Sequence, residues 1–278
     1  MKKNTVGIIG GTGKMGGFFR KFFEKNGCKV IVSSRRTKLK PEDCAKKSDI
    51  VMVSVPIDAT VEMIKKISSC MDKDSLLIDT TSIKVGPVEA MLKHSKCGVI
   101  GMHPVFGPNV SSVKNQIIVL CPARAGKWRK WLVDVFEKNG AVIKIASPEK
   151  HDKMMSVIQG LSHFNTLAVA HAMKKAGINI NESLEFASPV YRLRMMMVGR
   201  IFNQDSELYA GIETMNPNNK KMLDILEKSS KKLKKIIEAK DKEGFVRYFD
   251  ECAEFFGNFR KKAEKTSDYL IEQMVKME

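Results

Sequence analysis

A chain of 278 residues with 43% hydrophobic content suits one large domain or two ordinary ones and can bury a core. No apolar run approaches the roughly 18 residues of a membrane span, no apolar leader precedes the first strand, and the six cysteines show no CxxC spacing, so a membrane protein, a secreted disulfide scaffold and a zinc site are all disfavoured and reduced cytoplasmic thiols are expected. The net charge of +17 admits nucleic acid as a partner, but the lysines are dispersed, and they fit solvated faces and a positive field for anionic small molecules.

The first element is an apolar, β-branched run, Val6-Gly7-Ile8-Ile9, followed at once by Gly10-Gly11-Thr12-Gly13-Lys14-Met15-Gly16 and the helix-like Phe18-Phe19-Arg20-Lys21-Phe22-Phe23. Strand, glycine turn and helix in that order are what a dinucleotide fingerprint requires. The glycines permit the tight turn and close backbone approach, and the helix N-terminus faces a pyrophosphate. Gly11, Thr12, Gly13, Lys14 and Met15 are therefore expected to touch the cofactor.

Further strands are expected at 30–33, 50–55, 76–79, 99–102, 117–120 and 142–145, with helical stretches between them. That alternation means a doubly wound, mostly parallel sheet of the Rossmann type. After the second strand, where a carboxylate would bind a ribose 2′-hydroxyl, stand Ser34, Arg35 and Arg36. They favour NADP as the cofactor, with NAD possible; the alternative is an exposed basic turn beside Lys38 and Lys40. Val55 and Pro56 end the central strand and are placed on the nicotinamide side.

Two more strand ends carry polar groups, Asp79-Thr80-Thr81-Ser82-Ile83-Lys84 and His103-Pro104-Val105-Phe106-Gly107-Pro108. Ligands in doubly wound sheets sit at carboxyl strand ends, so Pro56, Ser82, Lys84 and His103 are expected around one crevice. His103 is the best candidate acid–base group, because imidazole titrates near neutrality. His94 reads as a surface residue, and His151, His163 and His171 as structural histidines on a helix.

Ser147-Pro148 is an N-cap followed by proline at the first helical position, and no strand pattern appears beyond it. A first domain at 1–146 and an all-α second domain at 147–278 follow. The second should hold a long first helix and further helices at 190–202, 207–214, 219–239 and 245–274. Arg192 and Arg200 lie roughly two turns apart on one of these helices and either capture carboxylates or pair with surface acids.

Taken together, these motifs resemble prephenate dehydrogenase, in the branch often fused to chorismate mutase. The resemblance rests on the glycine loop, Val53-Ser54-Val55-Pro56-Ile57, Ser82-Ile83-Lys84-Val85-Gly86-Pro87 and Gly101-Met102-His103-Pro104-Val105-Phe106-Gly107-Pro108. It continues through His151-Asp152, Ile158-Gln159, Ser162-His163-Phe164, Ser188-Pro189-Val190-Tyr191-Arg192 and Gly199-Arg200-Ile201-Phe202. It implies His103 as the catalytic base and Ser82 as a catalytic residue near both nicotinamide and substrate hydroxyl. It also implies Lys84, Gln159, His163, Arg192 and Arg200 as prephenate ligands, with Arg200 on a carboxylate. By the same resemblance the helical half is a dimerisation domain, the protein is a homodimer, and no metal, nucleic acid or membrane takes part.

Neither a mutase ahead of the first strand nor a regulatory domain behind the last helix is expected. Another branch carries histidine at the position of Gly160. Two other functions fit the residues less fully: an NADP-using arogenate dehydrogenase, and a non-catalytic NADP-sensing or nucleic-acid-binding protein.

Overall fold

The computed structural model describes residues 3–277. Its sheet has seven strands, at Thr5–Ile9 (β1), Lys29–Ser33 (β2), Ile50–Val53 (β3), Leu76–Asp79 (β4), Gly98–Pro104 (β5), Ile117–Arg124 (β6) and Val142–Ile145 (β7). They lie in the order β2-β1-β3-β4-β5-β6-β7. Every neighbouring pair is parallel except β5 and β6. The exception follows from the connection: no helix lies between Pro104 and Ile117, and a parallel return needs a crossover of a dozen or more residues, usually helical.

The helices of the sheet region are Lys14–Lys25 (α1), Pro41–Lys46 (α2), Ile57–Ser68 (α3), Val85–His94 (α4) and Lys127–Lys138 (α5). Alternate residues of each strand feed two opposite cores. Val6, Ile8, Ile50, Met52, Leu76 and Ile78 pack with Phe19 and Phe23 of α1 and Leu132 and Phe136 of α5. Ile9, Val51, Val53 and Leu77 pack with Ile64 and Ile67 of α3 and Val88 and Met91 of α4. Burial on both faces explains why β3 is apolar throughout.

Beyond β7 the chain is helical: Pro148–Met155 (α6), Ser162–Lys175 (α7), Ile180–Glu185 (α8), Pro189–Phe202 (α9), Ser206–Met215 (α10), Asn219–Glu238 (α11), Lys242–Phe256 (α12) and Phe259–Val275 (α13). The long first helix expected here is broken by a π-helical turn at Ser156–Leu161. The helix expected at 245–274 is two helices, because Gly257 takes φ +49° and ends α12. α8 lay outside the expected elements; Asn179 caps it, accepting the main-chain N–H groups of Asn181 and Glu182.

The chain forms two compact units, residues 1–159 with 208–218 and residues 160–207 with 219–278. The division departs from the expected break at 146/147 because α6 packs against α4 and β6, and because α10 joins the first unit. Ile212 of α10 packs with Ile57 and Ile83 there, and Gly211 lies against Ile57.

Two adjacent glycines in the first turn of α1 tell the glycine requirement apart. A Cβ on Gly16 would strike the Gly10 carbonyl oxygen and stand 2.8 Å from Gly11 Cα, whereas one on Gly17 would meet only Gly11 O at 4.0 Å. Gly16→Ala should cost about 1–3 kcal/mol in urea unfolding by overpacking. Gly17→Ala, in the same helix, should be neutral or stabilise by about 0.5–1 kcal/mol.

Candidate active site

The crevice is set by chain topology. β1 pairs with β2 on one side and β3 on the other, so the chain reverses its winding beside the glycine turn. Gly10 takes φ +87°, and a side chain on Gly11 would come within 2.7 Å of Val32. Gly13 is the N-cap of α1 and has no side chain to accept from the first-turn amides, and no acidic residue stands in that turn. The exposed Thr12, Gly13 and Lys14 border these open N–H groups. The arrangement suits a pyrophosphate, which would take both the amide hydrogens and the positive end of the helix dipole.

At the end of β2, Ser33 is buried and its hydroxyl donates to Leu39 O at 2.7 Å. Ser34 and Thr37 close a turn: Thr37 Oγ1 accepts Ser34 N–H at 2.8 Å, and Ser34 Oγ accepts Arg36 N–H at 3.1 Å. Arg35 and Arg36 are exposed. Val55 and Pro56 follow β3, where Ser54 N–H donates to Ile9 O at 2.8 Å and ties this loop to the end of β1.

β3, β4 and β5 are adjacent and in register, Val53 to Asp79 to Gly101, so their carboxyl ends open side by side. His103 lies at the third end and is 3% exposed. Its Nδ1 is 2.8 Å from Nε2 of His151, whose Nδ1 is 2.7 Å from Oδ1 of Asp152. Asp152 also accepts Lys84 N–H at 2.7 Å and Val85 N–H at 3.0 Å, so it caps the start of α4. Asn216, after α10, donates its side-chain amide to Asp152 O at 2.8 Å. Burial first, then the His151 imidazole and the Lys84 ammonium, hold His103 well below its usual 6.5.

Lys84, expected among the substrate ligands, is wholly buried. Its ammonium donates to Asp79 Oδ2 and, at 2.9 Å, to Met102 O. The same carboxylate oxygen accepts Thr81 N–H at 3.0 Å and Thr81 Oγ1–H at 2.6 Å. Glycine at position 101 opens the way for the lysine stem, since a Cβ there would lie 3.0 Å from Lys84 Cδ and 2.6 Å from Val88. In this geometry Lys84 braces the residue before His103.

Ser82 is half-buried in the loop between β4 and α4. Gln159 lies in the π-helical turn, and Gly160 beside it packs against Asn219, whose Cγ would stand 2.8 Å from a Cβ there. His163 is half-buried on α7; on α9, Arg192 is half-buried and Arg200 exposed. His151, read as structural from its helix, is instead the partner of His103, and Asp152, Asp79 and Asn216 had been given no role. The His151-Asp152 pair two residues past Glu149 was visible as a motif, but nothing in the spacing could place it under β5.

The prephenate dehydrogenase nucleotide-binding domain matches residues 26–145, and the prephenate dehydrogenase dimerization domain matches residues 147–251. The chain belongs to the prephenate dehydrogenase family. A Methanocaldococcus jannaschii protein named "Probable arogenate/prephenate dehydrogenase" is 37% identical over 96% of this chain, which spans 64% of that protein's length. The "T-protein" of Haemophilus influenzae is 34% identical over 97% of this chain and 72% of its own length. Among solved structures, prephenate dehydrogenase of Aquifex aeolicus in complex with hydroxyphenyl propionate and NAD+ has a TM-score of 0.72 at 25% identity, covering 91% of this chain and 97% of that one. The family is one of NAD(P)-dependent oxidoreductases with a Rossmann-like domain followed by a helical dimerization domain.

The buried pair makes its own prediction. Lys84→Met leaves the Asp79 carboxylate without its cation and should destabilise the fold by about 3–5 kcal/mol in chemical denaturation. The double variant Lys84→Met/Asp79→Leu should recover much of that loss, because both desolvated charges are then gone.

Proposed function

We propose that this protein oxidatively decarboxylates prephenate to 4-hydroxyphenylpyruvate with NADP as oxidant. The observation that carries the reading is His103: a buried imidazole held neutral at the carboxyl end of β5, beside the strand ends that bear Pro56 and Ser82. Prephenate carries two carboxylates and a ring hydroxyl on the carbon that is oxidised. The nicotinamide, when bound, accepts the hydride from that carbon. What the chain must supply is alignment and a base for the hydroxyl proton, and a neutral histidine is suited to both. Ser82, in the neighbouring loop, is assigned to the same hydroxyl.

The uncapped first turn of α1 and the glycine turn before it would hold the pyrophosphate, with Val55 and Pro56 on the nicotinamide side. Ser34, Arg35 and Arg36 support a 2′-phosphate. The Ser34 oxygen accepts Arg36 N–H and keeps its own hydrogen to donate, and the two exposed guanidinium groups can make charge-assisted bonds. Arg200, with Arg192, Gln159 and His163, is assigned to the anionic substrate, and a net charge of +17 favours its capture. Lys84 acts from beneath the site, through Met102 and His103.

A homodimer through the helical unit fits that unit's exposed apolar side chains, among them Phe186 at 87% and Phe255 at 86% exposed. Arogenate is the second reading for the substrate, favoured by the name of the Methanocaldococcus jannaschii relative.

Rates with prephenate and arogenate, each with NAD and NADP, test the reading; prephenate with NADP should give the highest kcat/KM, and no turnover in any of the four would sink it. His103→Asn should lower kcat by about 10²–10⁴-fold while nucleotide affinity stays near wild type. Because the folded imidazole is held below 6.5, the neutral base persists as pH falls past that value, and the acid limb of kcat should lie below 6.5. Ser34→Glu should reverse the nucleotide preference toward NAD, measured as the ratio of kcat/KM values.

A further inference from the structure

We propose that His103 and His151 form a two-imidazole proton relay anchored on Asp152, in which the proton taken from the substrate hydroxyl leaves its positive charge on His151. The inference rests on the oxidative decarboxylation proposed above and deepens it by naming positioning residues for the base.

The hydrogen-bond order assigns the tautomers. Both oxygens of Asp152 accept main-chain N–H groups, those of Lys84 and Val85, so in its contact with His151 the Nδ1 of the imidazole is the donor. A neutral His151 then has only its Nε2 lone pair to offer His103, and His103 must donate from Nδ1 across their 2.8 Å contact. The lone pair of His103 is thereby fixed on Nε2, the nitrogen turned away from the His151 contact. With the opposite order His103 would carry a hydrogen on Nε2 and could not act as a base there. Asp152 is itself fixed, by the two amides of α4 and by Asn216 on its carbonyl, so the order does not depend on a mobile group.

Charge decides where the proton's positive charge rests. An imidazolium at His103 would be buried near the Lys84 ammonium, whereas one at His151 lies 2.7 Å from the Asp152 carboxylate. As hydride leaves the ring carbon for the oxidised nicotinamide nucleotide, the hydroxyl O–H bond breaks and its electrons form the C=O bond. The proton goes to His103 Nε2, and the His103 Nδ1 proton passes to His151 Nε2. Loss of carbon dioxide then returns an electron pair to the ring oxygen. That oxygen takes the proton back from His103 Nε2, and His151 Nε2 restores the proton on His103 Nδ1. No net proton is gained or lost by the protein. The charged and titratable groups that act on His103 are His151 from α6 and Lys84 at the start of α4; behind them, Asp152 bonds His151 and Asp79 of β4 bonds Lys84.

Two measurements test the relay. In ¹⁵N-histidine-labelled protein without substrate, long-range ¹H–¹⁵N spectra should show His103 protonated on Nδ1 and bare on Nε2 at pH 7.5, roughly one unit above the free imidazole value; a hydrogen on Nε2 overturns the proposal whatever the turnover. His151→Gln keeps a polar side chain but cannot pass a proton. Its kcat should fall by about 10²-fold with little change in the KM for prephenate. Its acid limb should move up toward the usual histidine value, because one of the groups depressing His103 is gone. The solvent-deuterium dependence of kcat should change from curved in the wild type to linear in the variant. Wild-type kcat and an unshifted acid limb in folded His151→Gln would overturn the relay. A wild type that oxidises neither prephenate nor arogenate overturns the functional reading instead, and the spectrum distinguishes the two failures.

Discussion

Burying a lysine ammonium removes it from water at a cost of several kcal/mol, which only a well-placed counter-charge and further hydrogen bonds can offset. Lys84 meets both conditions, with the Asp79 carboxylate, the Met102 carbonyl and the Thr81 hydroxyl around it. The site around His103 is arranged about that buried cation. It joins the end of β4 to the residue before His103, and its own main-chain N–H is held by Asp152. One residue thus links the strand that carries the base to the helix that carries the base's partner. Burial and then His151 do most to keep His103 neutral, and the charge of Lys84 works in the same direction.

Most of the sheet was legible because its strands are short, apolar and separated by turn residues. All seven expected strands are present, and the glycine turn sits where the β-branched run before it required. The antiparallel β6 is a matter of what the chain lacks, a helix after Pro104. The helical half was less legible. Local periodicity carries on through a π-helical turn, so α6 and α7 read as one helix, and the single glycine at 257 was hidden in an otherwise continuous pattern.

Within the site, residues that follow a strand could be found, since the sheet fixes where strand ends open. His103 and Ser82 are of this kind. Lys84 was found for its charge and its motif, but the direction of its side chain was not readable: only the missing side chain at Gly101 lets it turn inward under β5. His151 and Asp152 were the hardest, because they come from a helix far along the chain, and only tertiary packing brings them to β5.

The return of residues 208–218 to the first unit limits how this protein can be dissected. A fragment ending at residue 159 would keep the whole sheet and glycine turn yet lose Ile212, uncovering Ile57 and Ile83, and lose the Asn216 amide that braces Asp152. The reciprocal helical fragment would carry α10 with nothing of its own unit to pack on. Separating the halves by genetic means therefore calls for a rearranged chain order, in which 208–218 is grafted onto the end of the sheet fragment and the helical unit is closed by a short bridge between 207 and 219.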